Sequence, residues 1–224
     1  MKKAFLVVFI LFTLFHSNAQ QKPEIRFNAF SSYVFSDAVD SYFDAQRYYR
    51  GRIDGGFMWG ANTEVMLHDD YGIHLTYLRM DTKAPITYLN NFINPKFKEF
   101  DLGINYIMLG GNRYMEAADN IELYGGVAGG LAIFSIKNPE PGGESSLTKF
   151  AWNAELGTNI WLAPSVAIKF NARLLSPVQA FGGGAYFGTG GSGVGLNTYS
   201  SVFQFGLGGG LVFKLTPTAK PQKK

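Results

Sequence analysis

Three features of this sequence predict an all-β fold of eight antiparallel strands closed into a barrel. The last well-patterned stretch, 199–215, alternates bulky apolar residues (Phe203, Phe205, Leu207, Leu211, Phe213, Leu215) with small or polar ones (Gln204, Gly206, Gly208, Gly210, Lys214). Successive side chains of a strand point to opposite faces, so this strand has one bulky apolar face and one small or polar face. Seven earlier segments of about ten residues repeat the same two-residue period. No stretch of comparable length carries a helical one.

The segments run in order as follows. Segment 24–35 sets Ile25, Phe27, Ala29, Ser31, Tyr33 and Phe35 against Arg26, Asn28 and Ser32. Segment 55–67 sets Phe57, Trp59, Ala61, Thr63, Val65 and Leu67 against Gly60, Asn62 and Glu64. Segment 71–80 sets Ile73, Leu75 and Tyr77 against His74 and Thr76, and segment 97–109 sets Phe100, Leu102, Ile104, Tyr106 and Met108 against Asp101, Gly103 and Asn105. Segment 121–136 opposes Leu123, Val127, Leu131 and Ile133 to Glu122, Tyr124, Gly126, Ala128 and Gly130. Segments 149–161 and 165–175 oppose Phe150, Trp152, Leu156, Ile168, Phe170 and Leu174 to Asn153, Glu155, Asn159, Lys169, Asn171 and Arg173.

The apolar face is expected to look outward on every strand. An eight-stranded barrel has an interior just wide enough for side chains, and Phe, Trp, Leu and Ile from eight strands would overfill it. Outward apolar residues on every strand require lipid as solvent, and closure satisfies the backbone groups that lipid cannot. The connections alternate in length: 68–70 and 163–164 are short, 110–120 is intermediate, and 36–54, 81–96, 137–148 and 176–198 are long. Such barrels have short periplasmic turns and long extracellular loops, which puts both chain ends in the periplasm.

Composition agrees. Charged residues make up 17% of the chain, against about 25% in a typical soluble domain. There is no cysteine, so no disulfide supports the fold. Residues 1–19 read as a cleaved secretory signal: Lys2 and Lys3, an apolar run 4–15, and the small residues Ser17 and Ala19 at the peptidase positions. The barrel is expected over 20–215, with 216–224 a polar periplasmic tail. Removing Lys2 and Lys3 from 20 basic residues leaves 18 against 17 acidic, a net of +1 that points to no nucleic-acid partner.

The ending Gly210-x-x-Phe213-x-Leu215 resembles the C-terminal signal strand of outer-membrane barrels. With the upstream alternation, the chain resembles the small eight-stranded barrels of the OmpX and OmpA-transmembrane-domain type, above all the barrel-only proteins of Bacteroidota. The resemblance covers the mature chain. It implies a cell outer-membrane protein inserted by the barrel assembly machinery and surrounded by outer-membrane lipids. It implies no single activity.

Candidate functional residues fall in two groups. The inward-facing charges Arg26, Glu64, His74, Asp101, Glu122, Glu155, Lys169 and Arg173, with Lys214, are nearly balanced in sign. Buried charges must pair, so an ion-pair network filling the lumen is expected rather than an ion path. The second group is the long neutral loop before the last strand, with Phe181, Tyr186, Phe187 and Tyr199, a candidate contact surface for a partner in an outer-membrane complex. Its Gly188, Gly190 and Gly193 match GxGxxG, but no helix follows and no acid stands about 20 residues on, so no nucleotide cofactor is expected. Asp37, Asp40 and Asp44 lack the glycine and closing glutamate of a calcium loop, and no metal is expected there. His68 and His74 both fall toward the periplasmic end, away from an outer-leaflet substrate. The expectation is a non-enzymatic barrel, structural or a surface-contact subunit. A lipid-modifying enzyme and a narrow solute pore are the alternatives.

Overall fold

The computed structural model describes residues 23–44, 47–90, 96–137, 143–177, 184–188, 191–195 and 203–215. The segments expected as signal peptide (1–19) and periplasmic tail (216–224) lie outside them. Among the described residues there are twelve strands and no helix. They are β1 Ile25–Val34, β2 Asp37–Asp44, β3 Arg47–Ile53, β4 Gly56–His68, β5 Tyr71–Asn90, β6 Lys96–Ala118, β7 Ile121–Lys137, β8 Glu144–Ala163, β9 Val166–Pro177, β10 Gly184–Gly188, β11 Gly191–Gly195 and β12 Gln204–Lys214.

Eight of these form a ring. Antiparallel pairing runs β1–β4–β5–β6–β7–β8–β9–β12 and returns from β12 to β1, with Arg26 opposite Lys214 and Tyr33 opposite Leu207. No barrel strand is left with an unpaired edge along its lower half, as a lipid environment requires. At one end the strands join through two-residue turns: Asp69–Asp70, Asp119–Asn120 and Pro164–Ser165. The 110–120 connection expected from sequence is mostly strand, since β6 runs on to Ala118.

At the other end the expected loops 36–54 and 81–96 are also largely β-structure. β2 and β3 form a hairpin, and β3 pairs with the upper part of β5. The wall is therefore uneven. β5, β6, β7 and β8 have 20, 23, 17 and 20 residues, whereas β1, β4, β9 and β12 have 10, 13, 12 and 11. At about 3.3 Å per residue and about 40° of tilt, a short strand rises about 25–30 Å and a 20-residue strand about 50 Å. The short strands match an apolar band of about 25 Å, and the long ones continue well past it.

The alternation sorts as expected on seven of the eight barrel strands. Leu75, Val127, Leu156, Phe170 and Leu211 are exposed on the outside, and Arg26, Glu64, Glu155 and Lys169 are buried inside. β6 is the exception. Phe100, Leu102, Ile104, Tyr106 and Met108 face inward and are fully buried or nearly so, while Asp101 is exposed on the outer surface. Ile107, Leu109 and Met115 carry the outward apolar band on this strand. The cause is the height of β6. Its first half stands above the lipid, where water lies outside and the ordinary rule, polar out and apolar in, returns.

Glycine makes the closure possible at particular points. Gly130 faces the lumen, and a Cβ there would stand 2.0 Å from the carbonyl oxygen of Ile107 and 2.7 Å from Met108 Cα. Neither backbone atom can yield, so no side chain fits.

Candidate functional site

The lumen is the site the sequence singled out, and it is divided along its length. Its half beside the short turns is polar; its other half is apolar.

In the polar half, alternate residues of all eight barrel strands converge. Arg26 of β1 donates through Nη1 to both carboxylate oxygens of Glu122 on β7, at 3.1 and 2.9 Å. Asn159 Nδ2 of β8 donates to the same carboxylate at 2.8 Å. Arg26 Nε reaches Glu24 at 2.6 Å, and Lys214 Nζ lies 3.3 Å from the other oxygen of Glu24. The indole of Trp161 lies against both cations, 5.4 Å from Arg26 Cζ and 4.2 Å from Lys214 Nζ.

A second group surrounds Glu155 of β8. Tyr124 Oη donates to it at 2.5 Å, Arg173 Nε donates at 2.9 Å with Nη2 on the same oxygen, and Lys169 Nζ stands 3.2 Å away. Lys169 Nζ also lies 4.1 Å from the centre of the Tyr124 ring. The third carboxylate, Glu64, accepts from Tyr114 Oη at 2.5 Å and Asn112 Nδ2 at 2.9 Å. His74, buried opposite Glu64 across β4 and β5, shares a 2.8 Å hydrogen bond between Nδ1 and Thr76 Oγ1.

Among the described residues this half holds three buried cations (Arg26, Lys169, Arg173) and three buried carboxylates (Glu64, Glu122, Glu155). Such charges are tolerated only when paired and hydrogen-bonded, and here each carboxylate has at least two donors. The structure thus brings together seven of the eight residues named from sequence. The eighth, Asp101, does not join them, because it lies on the outer surface of β6.

Tyr114 and Asn112 fall outside the segments expected from sequence, because the glycine-rich 110–120 resembles a connection. The signal was present: Asn112 and Tyr114 continue the inward alternation of Met108 and Gly110.

In the other half, a continuous apolar core fills the lumen. It includes Phe30, Met58, Leu78, Met80, Phe100, Ile104, Tyr106, Met108, Phe134 and Leu175. Tyr106 Oη donates to Gln204 Oε1 at 2.6 Å, which settles the hydroxyl inside that core.

Above this level the outer surface of the wall turns charged. Arg79 pairs with Asp81, Lys83 with Glu99 at 2.5 Å, Arg52 with Asp54 at 2.6 Å and Lys137 with Glu144 at 3.2 Å. Below it the outside is apolar, with aromatic contacts such as Trp59 against Tyr77 and Phe35 stacked on Phe205 near the boundary. Asp37 accepts a hydrogen bond from the Phe203 amide at 2.9 Å and ties the β2–β3 hairpin to β12. Burial holds its carboxyl above the usual carboxylate range, against two backbone N–H donors that pull it down.

Of the candidate contact loop, Phe181 and Tyr199 lie outside the described residues. Tyr186 and Phe187 belong to β10, opposite Gly193 and Ser192 of β11. That hairpin approaches β5 through β10 and β8 through β11, so it reaches across the mouth between two walls that are not neighbours in the ring. Gly188 and Gly193 lie in this hairpin, and Gly190 lies outside the described residues. The side chains of Asp40 and Asp44 lie outside the described residues. His68 is exposed at the end of β4, beside the first short turn and 3.6 Å from Asp70, and His74 faces the lumen.

A lipid-facing apolar wall, a closed ring of eight antiparallel strands and an interior of paired charges beneath an apolar core define an outer-membrane β-barrel. Solved structures agree. The chain is similar to the Neisserial surface protein A (TM-score 0.56, 14% identity, covering 85% of this chain and 97% of that one). It is similar to the outer-membrane protein OprG of Pseudomonas aeruginosa (TM-score 0.53, 12% identity, 87% and 97% covered). It is also similar to the outer-membrane protease OmpT of Escherichia coli (TM-score 0.50, 9% identity, 89% and 99% covered). At these identities the likeness is one of fold. No family model matches the chain, and no curated protein does. The fold is that of the small outer-membrane barrels of OmpX and OmpA type, and the protein is one of the cell outer membrane.

Proposed function

We propose that this protein is a non-enzymatic outer-membrane barrel that works through its extracellular wall and hairpins, structurally or as the surface-contact subunit of an outer-membrane complex. One observation carries the reading: among the described residues, paired charges and an apolar core occupy the two halves of the lumen, while the wall rises past the lipid. Below, Trp161 lies against the Arg26 and Lys214 cations of the Glu24 group. Above lies the apolar core. Conduction needs a wetted path with weak, successive sites. A packed apolar core over paired charges supplies neither.

The surface left for work is outside the lipid: the tall wall of β5–β8, the β2–β3 hairpin and the β10–β11 hairpin. Exposed loops and strand ends held by a rigid scaffold are where binding residues concentrate. The two histidines at the periplasmic end argue against outer-leaflet acyl chemistry by a histidine base, because a base must reach the proton it removes. The fold also occurs in a protease, so an enzyme is disfavoured on the residues rather than on the fold.

The test has two arms. In planar bilayers the purified barrel is expected to give no steady conductance; a reproducible open level would replace this reading by the pore. A photo-crosslinking side chain at Tyr186 or Phe187, used in the native outer membrane, is expected to trap one stoichiometric protein partner. Crosslinks to lipid alone would leave the structural role and remove the subunit.

A further inference from the structure

The outer wall above the lipid carries its charges in a fixed order. Lys83 of β5 stands opposite Asp101 of β6, Asp101 opposite Lys137 of β7, and Lys137 opposite Glu144 of β8. Across the four strands the row reads plus, minus, plus, minus. Glu99 adds a second carboxylate to β6, two residues above Asp101 on the same face, and all five side chains are exposed. Lys83 turns to Glu99 and Lys137 to Glu144, so among the described residues Asp101 has no salt bridge.

The register also sets the heights of these groups. Followed once around the ring, it leads from Gly157 of β8 through Ser32 of β1 and Ile104 of β6 back to Leu147 of β8, ten residues nearer the extracellular end. A residue on a strand leaning about 40° rises about 2.5 Å, so each of the eight steps in this direction rises about 3 Å. Lys137 therefore stands about 3 Å above Asp101 and about 2 Å below Glu99. The same offset recurs inside the lipid, where Gly129 of β7 is opposite Leu109 of β6 and so stands about 2 Å below Ile107. Gly129 is a recess on the lipid face, because Val127, Leu131 and Leu109 around it all project outward.

A wall of this kind complements itself. Two copies inserted in the same sense are related by a two-fold axis only when it runs along the membrane normal. Across an axis between β6 and β7, β6 faces β7 of the second copy at equal height, and every contact is made twice. Lys137 then meets Asp101 and Glu99 of the second copy, and Ile107 meets its Gly129. An anionic lipid headgroup drawn to Lys137 would be opposed by those two carboxylates, whereas a second copy of the row offers each charge its opposite. We propose that two copies of this barrel pair in the outer membrane through the β6–β7 face, Lys137 of each standing between Asp101 and Glu99 of the other. The pairing rests on the surface-contact reading and names a second copy of the chain as the partner.

The chain has no cysteine, so introduced cysteines report the contact in the native outer membrane. Two differently tagged full-length chains are co-expressed, one Asp101→Cys and the other Lys137→Cys. A short bis-maleimide is expected to join them, and to join no pair carrying Phe57→Cys and Phe205→Cys on the far wall. Single-molecule photobleaching of the purified barrel in lipid vesicles then measures the dimer fraction. Lys137→Glu is expected to lower dimer formation about tenfold or more, because it sets like charges face to face. The double change Glu99→Lys, Asp101→Lys is expected to do the same, and mixing the two variants to restore pairing. Gly129→Leu, which fills the recess, is expected to weaken it independently of charge. A monomer in both membranes would overturn the proposal, as would a dimer unchanged by Lys137→Glu or a mixture that stays monomeric. A monomer that still crosslinks to another protein through Tyr186 or Phe187 would overturn the pairing and leave the surface-contact reading standing.

Discussion

Replacing Glu155 by Leu tests whether the lumen is sealed. The carboxylate holds two cations, Arg173 at 2.9 Å and Lys169 at 3.2 Å, and accepts from Tyr124. Arg173 and Lys169 are 3% and 1% exposed, so water cannot replace the lost partner from the bulk. Removing one member of a buried ion pair typically costs about 3–5 kcal/mol, because the remaining charge is stranded. Two stranded cations and an orphaned tyrosine hydroxyl put Glu155→Leu at the upper end, about 5 kcal/mol, or more than a thousandfold in the folding equilibrium. The contrast is the triple change Glu155→Leu, Lys169→Met, Arg173→Met, which removes the charges together. Buried ion clusters replaced by apolar residues of similar volume are often neutral or stabilising, so the triple variant is expected to recover most of the loss. Reversible denaturant unfolding in lipid vesicles reads both quantities. A Glu155→Leu cost of about 1 kcal/mol or less, typical of solvent-screened pairs, would refute the reasoning by showing a hydrated lumen.

Other outcomes follow from the same structure. Val127→Arg, on the lipid face of β7, is expected to cost about 2–4 kcal/mol in vesicle unfolding, whereas Asp101→Asn, on the wall above the lipid, should stay within about 0.5 kcal/mol. Gly130→Ala is expected to abolish or greatly slow barrel closure, seen as loss of the compact form on unheated gels. Gly129→Ala should be tolerated, since its Cβ would meet only the tip of the Phe150 ring at 3.3 Å. The Asp37 carboxyl should titrate above the usual carboxylate value of about 3.9 when followed by carboxyl NMR. Because its folded-state value is raised, its stability contribution is greatest below the unfolded value and falls as pH rises through the folded one; Asp37→Asn should abolish that slope.

Much of the barrel was legible as period and residue type. Phe27, Ala29, Tyr33 and Arg26, Asn28, Ser32 separate on β1 as their alternation requires, and the same sorting holds on β4, β5, β7, β8, β9 and β12. The charge network was legible for the same reason: charges on the small-residue face of a closed barrel have only one another to pair with. Asp101 and the run Phe100–Met108 were misassigned because both faces of that run were weighed against lipid. The alternation of Phe100, Leu102, Ile104 with Asp101 and Gly103 is the same string whether lipid or water lies outside, and the sequence does not mark where the bilayer ends. Tyr114 escaped because a strand continuing to a two-residue turn looks locally like a glycine-rich connection.

The sequence by itself determined the number of barrel strands, the closed barrel and the two faces of most of those strands, because a two-residue period and lipid's intolerance of unpaired backbone leave one solution. Only the tertiary structure decided the rest. Register fixed which carboxylate meets which cation, as Arg26 finds Glu122 ninety-six residues away. The unequal strand lengths fixed where the wall leaves the lipid, and with it the inversion that fills the upper lumen with apolar side chains. Both depend on how neighbouring strands slide past one another, and that offset is stored in pairings between distant segments, not in any one of them.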